Sequence, residues 1–131
     1  MAGSDEPEAV ARRFVDAFAA NDLHAMRALL APGFSGHITT ADGGTREVGA
    51  DAYVEGVAEM DVPSANLQLS VNDVTAIDAD SVMLMVEVHA ERRGRRLHNF
   101  SGQLVRVRDG VVVELWMVDA LPAESDEFWA S

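Results

Sequence analysis

Two patterns of hydrophobic positions divide the chain. In the first half, apolar residues recur every three or four positions, as they do on one face of an α-helix. This spacing predicts a helix over residues 4–22, a second short helix from Asp22 that ends before Pro32-Gly33, and a third over residues 49–60. A short segment rich in β-branched residues, 34–40, is expected to form a strand before the third helix.

From Asn66 onward, apolar and polar residues alternate, which is the period of a β-strand. The alternation predicts four strands, around 67–71 and at 81–91, 95–108 and 111–118. Short connections between them, the last of which is Asp109-Gly110, are typical of β-hairpins. The tail with Phe128 and Trp129 is expected to form a last helical turn or an extended cap.

This order of elements predicts an α+β fold, because helices that precede a run of hairpins pack on one face of the resulting sheet. We expect a single domain over 1–131. Its architecture would be a cone-shaped, strongly curved antiparallel sheet with three N-terminal helices packed over the concave face. Such a fold leaves a cavity between sheet and helices, and small-molecule sites favour concave places of this kind.

The strand at 81–91 is apolar on both of its faces. Val82, Leu84 and Val86 point to one side and Met83 and Met85 to the other. A sheet that is apolar on both faces is buried on both. Since the helices can cover only one face, we expect a second copy of the chain to cover the other and form a homodimer.

Composition and charge exclude several classes of function. The net charge of −12 is opposite to that of most nucleic-acid-binding proteins, so no nucleic acid is expected as a partner. No apolar run approaches the ~20 residues needed to cross a bilayer, and the N-terminus lacks a signal-peptide pattern, so no membrane is expected as a partner. There is neither cysteine nor lysine, which excludes thiolate and Schiff-base chemistry. These features favour a cytoplasmic protein.

Neither a metal ion nor another cofactor is expected. The four histidines, His24, His37, His89 and His98, show none of the close spacings typical of metal sites. His89 and His98 could still approach each other across their hairpin. No glycine-rich phosphate-binding loop runs from a strand into a helix.

Two segments, RRFVDAFAANDLHAMRALLAPGF (12–34) and VRVRDGVVVELWMVD (105–119), together with the element order, resemble the nuclear transport factor 2-like superfamily. That superfamily includes ketosteroid isomerases and SnoaL-like polyketide cyclases. The resemblance covers Glu8 to about Asp119 and implies the cone-shaped fold. It does not imply one activity, because this fold hosts isomerases, cyclases, epoxide hydrolases, dehydratases and non-enzymatic binding modules.

Few of the functional residues of the isomerases have a counterpart at the matching positions of this sequence. The position of the oxyanion-binding tyrosine falls on Phe14, which cannot donate a hydrogen bond, and the second donor position falls on Gln103, which still can. The general base falls around His37. Steroid isomerisation is therefore not expected. The SnoaL-like cyclases imply instead an acid/base aspartate at the end of the last strand, near Asp119.

Each candidate has a structural alternative. Asp119 is either the acid/base group or a strand-end cap, and its strand parity is opposite to that of Trp116 unless the strand twists or bulges. His37 is either a cavity base or a hydrogen-bonded loop residue. The predicted ligand-binding residues are Asn99, Gln103, Trp116, Tyr53, His89 and Phe14. Among them, Asn99 and Gln103 share one strand face and would donate to an oxyanion. For Trp116 and Tyr53 core packing is the alternative, and for His89 an exposed strand edge.

Three functions follow as hypotheses. The first is a cofactor-independent enzyme that moves protons on a small hydrophobic carbonyl or polycyclic compound. The second is a non-catalytic domain that binds or carries a small molecule. The third is a protein-interaction dimer, which predicts a filled cone and an exposed apolar patch.

Overall fold

The computed structural model describes residues 2–131, with side chains from Glu6 onward. Four α-helices, six β-strands and one 3-10 turn follow each other along the chain. In order they are α1 (Ala2–Ala19), α2 (Leu23–Ala28), β1 (Leu30–Thr39), β2 (Thr45–Val48), α3 (Ala50–Met60), the 3-10 turn (Val62–Ala65), β3 (Gln68–Ala76), β4 (Ser81–Arg92), β5 (Arg95–Arg108), β6 (Val111–Asp119) and α4 (Pro122–Ala130).

The strands form one six-stranded sheet in the order β2-β1-β6-β5-β4-β3. The predicted α+β class and curved, open sheet are confirmed. The prediction of a wholly antiparallel sheet is wrong at one pair, because β1 lies parallel to β6, with His37 beside Trp116 and Ile38 beside Met117. The prediction also lacked β2, a short and mostly exposed edge strand of polar sequence. The sheet is therefore mixed.

The three predicted N-terminal helices are present, and the tail, expected to form a last helical turn or an extended cap, forms a fourth helix, α4. Helices α1 and α3 pack on the concave face of the sheet, and α4 packs on β5 at one end. Helix α2 ends sooner than predicted, because Leu30 begins β1 and the carbonyl of Leu29 accepts a hydrogen bond from Val112 of β6 at 2.7 Å. No helix among residues 2–131 is long and apolar enough to cross a membrane.

Two-residue turns join β4 to β5 and β5 to β6. In each turn both residues have positive φ, 53° and 77° for Arg93-Gly94 and 55° and 78° for Asp109-Gly110. This conformation matches the right-handed twist of the flanking strands, and the second position favours glycine because it has no Cβ. The predicted hairpin at Asp109-Gly110 is confirmed.

The core lies between the concave face of the sheet and the helices. Val82, Leu84 and Val86 of β4 are buried there, whereas Met83 and Met85 point outward and are 40% and 41% exposed. Burying an aliphatic side chain contributes about 1.5–3 kcal/mol, so this one-sided packing supplies most of the driving force for the fold. On the convex face, none of the side chains from Glu6 onward covers Met83 and Met85 in the single chain.

Arg92 at the end of β4 fixes α4 in place. Its side chain is 6% exposed, and its guanidinium donates hydrogen bonds to the carbonyls of Met60, Phe128, Trp129 and Ser131 at 2.8–3.3 Å. The last carbonyls of a helix have no hydrogen-bond donors within the helix. A buried guanidinium, which only donates, is well suited to supply them. The contact holds the C-terminal helix against one end of the cone.

Candidate functional site

A cavity of about 450 Å³ opens between the concave face of the sheet and helices α1, α3 and α4. Most of its wall is apolar. The apolar lining includes Phe14, Phe18, Val57, Leu69, Val88 and Trp129. A volume of this size fits a small organic molecule, and a mostly apolar wall with few polar groups is typical of a small-molecule site.

A row of polar side chains crosses the floor of the cavity. Asn99, Ser101 and Gln103 alternate with outward residues along β5, so all three face inward. On the neighbouring strand Asp119 lies directly opposite Ser101, and Met117 lies opposite Gln103. The strand alternation that predicted Asn99 and Gln103 on one face therefore places them in the cavity.

Asp119 is the acidic group nearest the centre of this floor. It is half-buried at the end of β6, and burial raises the pKa of its carboxyl group above the usual value. Its backbone N–H donates to the Thr39 hydroxyl at 3.4 Å, and that hydroxyl donates to the Met117 carbonyl at 3.0 Å. Among the described residues none hydrogen-bonds to the carboxylate, so it is open to a ligand.

Tyr53 of α3 supplies a hydroxyl to the same cavity. Its ring is buried between those of Phe14 and Phe34, with centroids at 5.7 and 5.9 Å. Burial, and after it the negative charge of Asp119, raises the pKa of the phenol above its usual range. The hydroxyl therefore stays protonated, and no described residue hydrogen-bonds to it. It is available as a donor.

Asn99 is held in one orientation by the backbone. Its side-chain oxygen accepts hydrogen bonds from the N–H groups of Phe100 at 2.9 Å and Leu121 at 3.0 Å. In a side-chain amide only the oxygen accepts hydrogen bonds, and both backbone donors are bound to it. The NH₂ group of Asn99 is therefore the part of the side chain left to contact a ligand in the cavity. The Gln103 amide is less constrained, since among the residues with described side chains its NH₂ donates only to the Ser101 hydroxyl, at 3.3 Å.

Two predicted residues lie on the opposite, convex face. His37 and Trp116 stack on each other with ring centroids 3.8 Å apart, and neither lines the cavity. The reason is strand alternation: Ile38 and Met117 take the inward positions beside them. His37 hydrogen-bonds to Glu114 at 3.3 Å and to Ser35 at 3.4 Å. The prediction of His37 as a cavity base and of Trp116 as a cavity wall is thus corrected.

His89 also lies on the convex face and not in the cavity, which corrects its prediction as a ligand-binding residue. Its inward neighbour in β4 is Val88. Phe14, Tyr53, Asn99, Gln103 and Asp119 are the predicted residues that the structure brings together around one cavity.

Several residues that line the cavity were not predicted from the sequence. These are Thr39, Arg46, Ser125, Asp126 and Trp129 among others. Ser125 and Trp129 are four residues apart, which places them on one face of a helix, but the strongly acidic segment around them gives only a weak amphipathic pattern. The position of α4 depends on Arg92, which is distant in sequence.

Sequence similarity to known proteins identifies the family of this domain. The sequence model of the SnoaL-like domain matches residues 11–115. No curated protein is similar enough in sequence to count as a match.

Three solved structures illustrate the likeness. AclR from Streptomyces galilaeus, described as a candidate hydroxylase, is 22% identical with a TM-score of 0.76, over 95% of this chain and 85% of AclR. IdmH from Streptomyces antibioticus, a candidate polyketide cyclase, is 21% identical with a TM-score of 0.72, over 87% and 91%. An LEH-like epoxide hydrolase of M. tuberculosis is 12% identical with a TM-score of 0.77, over 97% and 92%. At these identities the likeness is one of fold.

Proposed function

The chain belongs to the SnoaL-like domain family, and from this premise we propose that it is a cofactor-independent acid/base enzyme acting on a small hydrophobic carbonyl or polycyclic compound. One observation carries the proposal. Asp119, a carboxyl group with a raised pKa and no hydrogen-bond partner among the described residues, faces an apolar cavity that also holds free donors. Perturbed acids in apolar cavities are typical of catalytic sites.

Proton transfer is the reaction that this arrangement supports best. The Asp119 carboxylate takes a proton from a carbon next to the substrate carbonyl, and negative charge moves to the carbonyl oxygen. The Tyr53 hydroxyl and the Asn99 NH₂ group are the donors that we assign to that oxygen. Return of the proton to another carbon isomerises the compound. Attack of the enolate on a second carbonyl of the same molecule closes a ring, and Asp119 then protonates the new alkoxide.

The cavity wall determines which compounds enter. Aromatic and aliphatic side chains, among them Phe14, Phe18 and Trp129, surround the polar floor. Enclosure by apolar groups strengthens the hydrogen bonds to a developing oxyanion, because the local dielectric is low. Arg46 is the only basic side chain among the described lining residues, so we propose a neutral or weakly polar substrate and not a polyanion.

We also propose that a second copy of the chain covers the convex face. Met83, Met85, Phe100, Trp116 and Val118 are exposed there, and we call these five residues the convex patch. They lie on three adjacent strands around Gly102, where Met85 and Val118 are its neighbours in register. A continuous apolar surface of this kind on a single chain marks an interface. The cytoplasmic location stays a prediction.

A solvent-exchange assay tests the activity without knowledge of the natural substrate. Small cyclic ketones and 1,3-diketones are incubated with the protein in D₂O, and deuterium uptake next to the carbonyl is followed by NMR. We expect the wild-type protein to accelerate exchange, and Asp119→Asn to lower the rate by roughly 10²–10⁴-fold. Asp16→Asn, at an exposed carboxylate of α1 that does not line the cavity, is the matched control and keeps the rate.

Two results would contradict the proposal. Equal exchange rates for Asp119→Asn and the wild type would show that Asp119 does not transfer the proton. Compounds that bind in the cavity without any exchange would instead support the non-catalytic domain that binds or carries a small molecule.

A further inference from the structure

Three side chains with metal-binding atoms converge on the convex face, on the side of the sheet opposite the cavity. His89 of β4 and His98 of β5 are direct partners in the hairpin register, and Glu87 lies two residues before His89 on the same face. The Glu87 carboxylate oxygen Oε2 is 3.1 Å from His89 Nε2 and 2.6 Å from His98 Nε2. All three ligand atoms lie within 4.8 Å of one another.

From this geometry we propose that Glu87, His89 and His98 bind a divalent transition-metal ion of the zinc class. Two imidazole nitrogens and one carboxylate oxygen form a donor set that suits Zn²⁺, with bonds of about 2.0–2.2 Å. Ligands of a tetrahedral ion at these bond lengths stand roughly 3.4 Å apart. The distance from His89 Nε2 to Glu87, 3.1 Å, is close to that value, whereas His98 Nε2, at 2.6 Å, must move away from the carboxylate by roughly 0.8 Å to admit the ion.

The imidazole rings have room to complete the geometry. They stack nearly parallel, with centroids 4.3 Å apart and planes at 11°. The side chains of His89 and His98 are 51% and 53% exposed, so small rotations can direct both Nε2 lone pairs toward one ion. The cluster adjoins the convex patch at Phe100, whose ring centroid lies 5.2 Å from that of His98, and in the single chain the remaining coordination sites are open to water.

A neighbouring strand positions the carboxylate. The Asn72 side-chain NH₂ of β3 donates to Glu87 Oε1 at 2.9 Å, which leaves Oε2 directed at the two histidines. A partner of this kind around a metal ligand holds its orientation and raises affinity. Three adjacent strands therefore build the site, and all of its ligands come from one chain.

The proposal is independent of the activity assigned to the cavity. The site and the cavity lie on opposite faces of the sheet, since Val88 between Glu87 and His89 points into the cavity. Asp119→Asn is therefore expected to bind Zn²⁺ as the wild type does. Failure of one proposal leaves the other unchanged.

Calorimetric titration with ZnCl₂ at pH 7.5 tests the site on protein that carries no histidine tag. We expect about one ion per chain, bound in the micromolar range. His89→Ala, His98→Ala and Glu87→Gln are each expected to weaken binding by roughly tenfold or more, and Asn72→Ala by a smaller factor. His24→Ala removes an exposed histidine from α2 and serves as the matched control with unchanged affinity.

Two further measurements make the result decisive. Circular dichroism shows whether each variant keeps the wild-type fold, as expected for substitutions of partly exposed side chains. Co²⁺ absorption spectra report whether nitrogen ligands enter the coordination sphere, and the bands should vanish in the double variant His89→Ala/His98→Ala. No binding by the wild type at 100 µM Zn²⁺, or equal affinity in that double variant, would overturn the proposal and leave only a histidine–carboxylate charge cluster.

Discussion

Ser101 and Asp119 face each other across β5 and β6 on the concave side of the sheet. A bulge in β6 sets this register, because Arg106 pairs with Glu114 whereas the next residue, Val107, pairs with Val112. The extra residue switches the inward positions of β6 from even to odd numbers. Without it Trp116 would point into the cavity and Asp119 out of it, so one inserted residue decides which side chain meets the ligand.

Asp119→Asn should stabilise the protein at neutral pH. Burial raises the pKa of Asp119 in the folded chain above its value of 3.8 for an unburied group. The contribution of this group to stability is therefore fully present below pH 3.8 and is lost as pH rises through the folded pKa. An amide carries no charge to desolvate. Thermal unfolding should show a higher midpoint for the variant at pH 7 and a smaller difference near pH 4.

Asp126, an exposed carboxylate of α4, gives the stability control, and Asp126→Asn should unfold at the wild-type temperature at both pH values. A variant Asp119→Asn that is less stable than wild type at pH 7 would show that the carboxylate is held by favourable contacts in solution.

Asn99→Ala should destabilise the fold more than Gln103→Ala. The Asn99 oxygen accepts two backbone N–H groups, including that of Leu121 at the start of α4, whereas Gln103 bonds only to Ser101. Leaving a buried donor without an acceptor costs about 1–3 kcal/mol, and these two donors are partly buried. Urea unfolding should show a loss of that size for Asn99→Ala and less than about 1 kcal/mol for Gln103→Ala. Equal losses would mean that water replaces the amide.

Arg92→Met should release α4 from the sheet. The guanidinium donates to four backbone carbonyls and to the Ser64 hydroxyl, and its loss removes this donor from five acceptors in a largely buried place. We expect a loss of roughly 2–4 kcal/mol and faster amide hydrogen exchange over 122–130.

Arg95→Met is the matched control, because Arg95 contacts α4 only through an exposed ion pair with Glu127 at 3.4 Å. Exposed pairs of this kind contribute about 0–1 kcal/mol. Uniform exchange over the whole chain in Arg92→Met would contradict a local role for Arg92.

Val118→Arg should convert the proposed dimer to monomers. Val118 is 61% exposed in the single chain and lies in the convex patch, so the substitution leaves the fold intact but places a charge in the interface. Light scattering should give twice 14.1 kDa for wild type and 14.1 kDa for the variant. Ile77→Arg, at a site 53% exposed outside the patch, should remain dimeric. A monomeric wild type would refute the dimer.

Local patterns were sufficient to predict most elements of the fold. The alternation of β4 and β5 placed Asn99 and Gln103 on one face, and Asp109-Gly110 predicted its hairpin, because both signals depend on neighbouring residues. The parallel pairing of β1 with β6 joins segments about 80 residues apart, and no local period records such a partner. Because this pairing was not predicted, the sequence did not show that Ile38, and not His37, points inward from β1.

The site was predicted only in part. Asp119 followed from a family resemblance, and its orientation depends on a bulge that the run VVVELWMV does not reveal. Trp129 reaches the cavity because Arg92, 37 residues earlier, holds its helix. The approach of His89 to His98 across their hairpin was anticipated from the sequence, but their convergence with Glu87 needed the register, which pairs residues nine positions apart.

The two indole rings of the chain lie on opposite sides of the sheet, Trp129 at the cavity and Trp116 stacked on His37. Each is therefore a separate fluorophore with its own environment. Emission from Trp129 reports occupancy of the interior, and emission from Trp116 reports covering of the outer surface. Replacing either one by phenylalanine leaves a chain with a single optical probe, so events on the two sides can be followed independently in the same molecule.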